Sequence, residues 1–408
     1  MLERRAVRAA RRPQLAMFGP AFVAAIAYVD PGNFATNFAG GAKYGYLLLW
    51  VIVAANFLGM FVQSLSAKLG LATGMSLPAL CRQHYRGPVV VGLWLQAELV
   101  AMATDLAEVV GGAIALNMLF GLPLFVGGLV TGLVSFALLA LQTRGDRRFI
   151  GAVTCLFAAI VLGFVLLVLR VPLDPGAAFA GLAPRFEGTG SVLLATGILG
   201  ATVMPHAIYL HSALVPEGAG AGSVPQRRAA LRAQRADVLS AMGLAGLVNA
   251  TMLVIAAALF HGSGVVDVGT LTGAHAGIAA ALGGSVALVF ALALLASGFA
   301  SASVGTYAGQ VILQGFLQRR ISLFARRGLT LAPALAALAV GVEPTRALVV
   351  SQVILSFGIP FALLPLVLLT RRRDLMADLV NRPATTAWAA LATVVIVALN
   401  AVLLARLF

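Results

Sequence analysis

The apolar positions of this chain gather into long runs separated by short stretches of charged or turn-forming residues. A hydrocarbon core of about 30 Å takes roughly 20 consecutive apolar residues to cross as a helix. By that measure eleven membrane-spanning helices are predicted, near 15–41, 46–67, 88–117, 122–141, 149–170, 190–213, 237–260, 284–316, 329–342, 346–369 and 385–405. The ninth is short and the eighth long. The widest gap, 214–236, reads as a Gly/Ala/Arg-rich loop, and no gap is long enough for a soluble domain. The expectation is one all-α polytopic membrane unit over 1–408.

Composition agrees. Of the 408 residues 61% are hydrophobic and only 10% charged, against about 25% charged in a soluble domain. That excludes a water-soluble enzyme and a disordered chain, and two cysteines (Cys81 and Cys155) exclude a disulfide scaffold. A net charge of +14 would suggest nucleic acid in a soluble protein. Here the placement of the charge decides otherwise. With the N-terminus in the cytoplasm, 23 of the 28 basic residues fall on the cytoplasmic side, in clusters at 4–12, 68–86, 144–148, 227–235, 319–327 and 371–382. Lys43, Arg170, Arg185, Arg346 and Arg406 fall outside. This is the positive-inside pattern, with the basic face turned to anionic lipid. It implies a cell-membrane protein, N-terminus in and C-terminus out, with no nucleic-acid partner. A competing reading takes residues 1–27 as a signal peptide ending at Ala25-Ile26-Ala27; it would discard the five-arginine cluster that the sidedness uses.

Four of the 14 acidic residues lie inside apolar runs: Asp30 in the first, and Glu98, Asp105 and Glu108 in the third. The other ten, Asp237 among them, are placed in loops or at span ends. A carboxylate at bilayer depth costs several kcal/mol and marks an ion or proton path or a buried pair. Glu98 and Asp105 share a helix face two turns apart, with Glu108 beside Asp105, so the third span carries an acidic stripe suited to a proton relay. The candidate counter-charges are Arg326 and Arg327 at the start of the ninth span and His206 and His211 in the sixth.

Two spans are interrupted. The first reads Ala27-Tyr28-Val29-Asp30-Pro31-Gly32-Asn33, the sixth Ala201-Thr202-Val203-Met204-Pro205-His206. Pro31 has no N–H for the carbonyl of Ala27, and Pro205 has none for that of Ala201. Asp-Pro-Gly-Asn is strong turn chemistry and is predicted to unwind the first span. Irregular backbone at this depth survives only where it lines a cavity or is buried in protein. The breaks open two five-helix blocks, spans 1–5 (about 15–170) and 6–10 (about 190–369), of opposite topology. Paired interruptions of that kind point to a transporter site at the midplane. The site offers the Asp30 carboxylate, the Asn33 carboxamide, the Met204 thioether and the carbonyls of Ala27 and Ala201. One negative charge, neutral oxygens and a soft sulfur suit a divalent transition-metal ion that binds and leaves, not a structural zinc.

At these residues the sequence resembles the Nramp family, of the bacterial MntH type, of proton-coupled divalent metal transporters. The resemblance rests on Asp30-Pro31-Gly32-Asn33, Met204-Pro205-His206, Gln96-Ala97-Glu98-Leu99, Thr104-Asp105-Leu106-Ala107-Glu108 and 351–358 in the tenth span. It implies the LeuT-like 5+5 inverted repeat with an eleventh helix appended at about 385–405. It carries the family's metal ligands onto Asp30, Asn33, Met204, Ala27 and Ala201, and adds Gln352. The family's proton route maps onto His206, Asp105 and Glu108, then toward Arg326 and Arg327; Glu98 and His211 match further family positions. The implied activity is import of manganese or ferrous iron driven by protons through alternating access, with no enzyme activity, resident cofactor or obligate protein partner. Rival readings are a cation-coupled amino-acid symporter, which gives no reason for Met204, and a signalling protein built on the same fold, which would usually carry a soluble output domain. An intramembrane enzyme would need a motif such as His-Glu-x-x-His, and none is present.

Overall fold

The computed structural model describes residues 19–143, 146–215, 218, 220, 222–263, 267–318 and 323–407, without the side chains of 139–143, 146–147, 323–324, 327 and 406–407. The basic cluster at 4–12, the beginning of the predicted first span, and Arg144, Arg319 and Arg320 lie outside the described residues.

All regular structure among the described residues is helical. The first interrupted run gives α1 (Pro20–Ile26), a 3-10 turn (Ala27–Val29) and α2 (Pro31–Tyr44). There follow α3 (Leu49–Thr73), α4 (Leu77–His84), α5 (Gly87–Phe120), α6 (Leu124–Thr143), α7 (Asp146–Val168) and the short α8 (Pro175–Ala180). The second interrupted run gives α9 (Gly188–Thr202) and α10 (Pro205–Leu214). The rest is α11 (Val224–Phe260), α12 (Leu271–Leu282), α13 (Gly284–Leu317), α14 (Leu323–Ala339), α15 (Pro344–Thr370), α16 (Arg373–Met376) and α17 (Pro383–Leu407). Eight runs among the described residues are long and apolar enough to cross a bilayer. One of them, Pro31–Thr73, takes in both α2 and α3.

Both breaks lie in the protein interior. α5 packs chiefly against α13 and α15, α11 against α2 and α3, and α9 against α15. Small residues let these helices approach closely: a Cβ on Gly298 of α13 would stand 3.0 Å from the Gly112 backbone of α5. Large apolar side chains such as Leu133, Leu169 and Trp388 remain on the outer surface, as expected where the solvent is lipid.

Three expectations need correction. The predicted 214–236 loop is helical from Val224, because Ser223 and Gln226 form a capping box and Pro225 stands in the first turn. Its Ala, Leu, Gln and Arg residues are strong helix formers; charge marks where a membrane ends, not where a helix ends. The connection after α11, read only as a gap, contains α12, started by Thr270, whose side chain accepts from the Gly273 N–H.

The third concerns Asp237. Read as the end of the seventh span, it lies well inside α11 and is fully buried, and its carboxylate caps α1 from 216 residues away, accepting from Ala21 N at 3.0 Å and Gly19 N at 3.1 Å. Gly19 has φ of 132°, which favours glycine, and Pro20 has no N–H to satisfy. α1 is only seven residues long and depends on this remote cap. Charge-assisted bonds of this kind contribute about 1.5–3 kcal/mol. Asp237→Ala is therefore expected to speed amide exchange in α1 by about tenfold or more, with exchange in α13 unchanged. Equal protection of α1 in both proteins would refute the cap.

Candidate metal site

The first break is built around Asp30. Its extended backbone (φ −79°, ψ 168°) ends the 3-10 turn and makes it the N-cap of α2, where Oδ1 accepts from Asn33 N at 2.8 Å. Pro31 takes the first helical position, so no N–H is lost there. The loosened carbonyls find side chains on other helices. Asn249 of α11 donates to the Tyr28 carbonyl at 2.7 Å, and Ser297 of α13 to that of Val29 at 2.6 Å. Asn249 is held in turn by Asn37 at 2.9 Å. The second break has the same form. Val203 leaves helical geometry, and Met204 is extended (φ −74°, ψ 122°) as N-cap of α10, ahead of Pro205.

The two breaks meet through Asn33. Turned nitrogen-first, its carboxamide lies 2.6 Å from Asp30 Oδ1 and 3.1 Å from the Ala201 carbonyl oxygen. A carboxylate and a freed carbonyl from different halves of the chain thus face one donor. Gln352 of α15 closes the other side, with Nε2 3.4 Å from Asp30 Oδ2 and 3.2 Å from Ser351 Oγ. Its Oε1 is buried without a hydrogen-bond partner. Glycine is required beneath it: a Cβ on Gly32 would overlap the Gln352 amide. Asp30, Asn33, Ala201, Met204 and Gln352 are all fully buried and Ala27 nearly so. The Met204 side chain belongs to the same apolar cluster as Ala27 and Val29.

The remaining sequence-predicted residues with described side chains fall into four places. His206 Nδ1 lies 3.2 Å from Thr104 Oγ1 in α5, adjacent to Asp105, and its Nε2 is buried without a hydrogen-bond partner. Glu108 faces α13, where a Cβ on Gly305 would stand 2.9 Å from either carboxylate oxygen. Glu98 pairs with Arg326 of α14 at 3.0 Å. The Arg327 side chain lies outside the described residues. His211 is separate from the acidic stripe: its Nδ1 lies 2.8 Å from Gln63 Oε1 of α3, and Gln63 Nε2 donates to the Tyr28 hydroxyl at 2.8 Å. Sequence reasoning missed Gln63, Asn249, Ser297 and Thr104. Their one signal is a neutral polar residue in an apolar run, which many unrelated positions share.

Among the described residues no three of His, Cys, Asp or Glu converge as metal ligands. The donor set on offer is one carboxylate, amide and peptide oxygens and a nearby thioether, which suits a labile divalent ion rather than a structural one.

Residues 21–406 match the family model described as natural resistance-associated macrophage protein-like. The chain is 51% identical over 390 residues to a Deinococcus radiodurans protein named divalent metal cation transporter MntH, covering 96% of this chain and 89% of that one. Its fold superposes on crystal structures of the Eremococcus coleocola manganese transporter with a TM-score of 0.85 at 31% identity, over 95% of this chain and 85% of that one. It also shares its fold with Mhp1, a nucleobase-cation-symport-1 family transporter, with a TM-score of 0.57 at 15% identity, over 96% of this chain and 92% of that one. The chain belongs to the Nramp family, a family of membrane metal transporters and not of enzymes.

Proposed function

We propose that this protein imports manganese and ferrous ions across the cell membrane, coupled to protons, by alternating access. The observation that carries the reading is the meeting of Asp30, Asn33, Ala201 and Gln352 at two helix breaks, with every one of them buried. The fold is read as eleven spans, a 5+5 inverted repeat plus α17, with the N-terminus cytoplasmic and the C-terminus outside. The breaks in α1/α2 and α9/α10 take corresponding positions in the two repeats, which supports a midplane site.

A divalent ion between the breaks takes the place now held by the Asn33 amide hydrogens. It draws on the Asp30 carboxylate, the carbonyls of Ala27 and Ala201 and the Met204 sulfur. Asn33 must then rotate its amide to present oxygen. Gln352 already has an unsatisfied Oε1, so a similar turn lets it join. The cation displaces any proton held on Asp30. His206, Asp105 and Glu108 are the groups placed to take it, and Glu98, Arg326 and Arg327 to pass it toward the cytoplasm. Met204 adds a soft ligand, which favours a transition-metal ion over the hard calcium ion. His211, also assigned to the proton route, is bound to Gln63 and through it to Tyr28, and so ties α10 to α3 and to the 3-10 turn.

Three substitutions test this by uptake of radiolabelled manganese into proteoliposomes, with and without a pH gradient. Asp30→Ala is expected to reduce uptake to the background of empty vesicles; wild-type uptake would remove Asp30 from the site. Gly32→Ala forces Gln352 away from Asp30 and is expected to slow uptake by about tenfold or more, the scale of a misplacement near 1 Å. Met204→Ala should retain manganese uptake while competing calcium inhibits it more strongly. Unchanged selectivity in that variant would refute the soft-ligand argument.

A further inference from the structure

The ion pair between α5 and α14 is held by two groups that neither charge nor motif points to. Glu98 Oε1 accepts from the indole Nε1 of Trp94, one turn earlier on α5, at 3.2 Å. Both Glu98 oxygens also accept from Arg326 Nη2, at 3.3 and 3.0 Å. The other arm of the guanidinium donates to the Gly309 carbonyl of α13. A Cβ on Gly309 would fall on the guanidinium, so a side chain there would make Arg326 shift. Arg326 is 6% exposed, whereas Glu98 is 21% exposed, so the acid is the end of the pair nearer the outside of the bundle.

We infer that Trp94 and Gly309 are positioning residues for proton transfer through the Glu98–Arg326 pair. An indole N–H only donates and has no acceptor lone pair. Its ring is packed against the apolar cluster that includes Leu93 and Ala97, and it turns about only two side-chain bonds. Trp94 therefore offers one donor in a fixed direction to an acid that would otherwise sample several rotamers. Arg326 keeps its charge throughout, so it holds both oxygens without competing for the proton. Gly309 determines how far Arg326 reaches. Two helices thus meet at one carboxylate, α5 through Trp94 and α14 through Arg326, while α13 holds Arg326.

This rests on the proposed proton route, and the test separates the two. Manganese and proton uptake are measured together in proteoliposomes carrying wild type, Trp94→Phe, Gly309→Ala, Glu98→Gln and the double variant Trp94→Phe/Glu98→Gln. Trp94→Phe keeps the ring and removes the donor. It is expected to lower protons taken up per manganese by about fivefold, the low end for a bond to a charged group that is partly exposed. The manganese KM should stay within about twofold, since neither residue belongs to the metal site. Gly309→Ala should change the ratio in the same direction. In the Glu98→Gln background Trp94→Phe should have no further effect. A wild-type ratio in Trp94→Phe, with an altered one in Glu98→Gln, overturns the inference and leaves the route standing. An undiminished effect in the double variant shows that Trp94 does not act through Glu98 and overturns it equally. A wild-type ratio in Glu98→Gln removes the route, and the inference with it.

Discussion

Backbone polar groups that have left a helix must find partners when no water is at hand, and the centre of this protein is arranged around that constraint. An unsatisfied peptide group in an apolar medium costs several kcal/mol. Two breaks at mid-span would be prohibitive in a lone helix. Here the Tyr28 and Val29 carbonyls are taken by Asn249 and Ser297, and the Ala201 carbonyl faces the Asn33 amide. The helices that supply these groups are α2, α11 and α13, so the breaks fix how those helices pack. Proline completes the arrangement: Pro31 and Pro205 each start the second half-helix where a missing N–H costs nothing.

The same constraint explains why one residue does two things at the first break. Asp30 caps α2 through Oδ1 and meets Gln352 through Oδ2. The N-terminal end of α2 stabilises the carboxylate's charge, while neutral donors on both sides leave that charge available to a cation. A lysine or arginine partner would have satisfied the acid permanently and closed the site. Amides satisfy it reversibly, because rotating one replaces a donor by an acceptor.

What could be read in the sequence was what is local in the sequence. Asp-Pro-Gly-Asn and Met-Pro-His announce unwound turns wherever they stand, and three acids in one apolar run announce an interior face. The partners that complete the site were not legible. Asn249 and Ser297 are single neutral residues in otherwise apolar helices, and their roles arise from packing across more than 200 positions of chain. Gln352 came only through family resemblance, for the same reason. Asp237 misled for a related cause: an acid just inside a basic stretch looks like solvated surface until α1 is found to end against it. The arginines before it set the membrane boundary and hid a helix start at Val224.

Burial of charge gives a last step in the argument. Pairing Glu98 with Arg326 inside a bundle does not by itself stabilise the fold, since desolvation consumes most of the Coulombic gain. Apolar side chains of similar size would pack α5 against α14 at least as well. The rest of α5 and α13 is largely apolar and rich in alanine, glycine and leucine. Glu98 is partly exposed while Arg326 is buried, and the acids further along the same helix, Asp105 and Glu108, lie almost wholly in the interior. The gradient of exposure runs along one helix, from a carboxylate at the edge to two in the interior beyond Thr104, which lies 3.2 Å from His206. Stability gives no reason for such an order. A proton route of the kind proposed for this chain does.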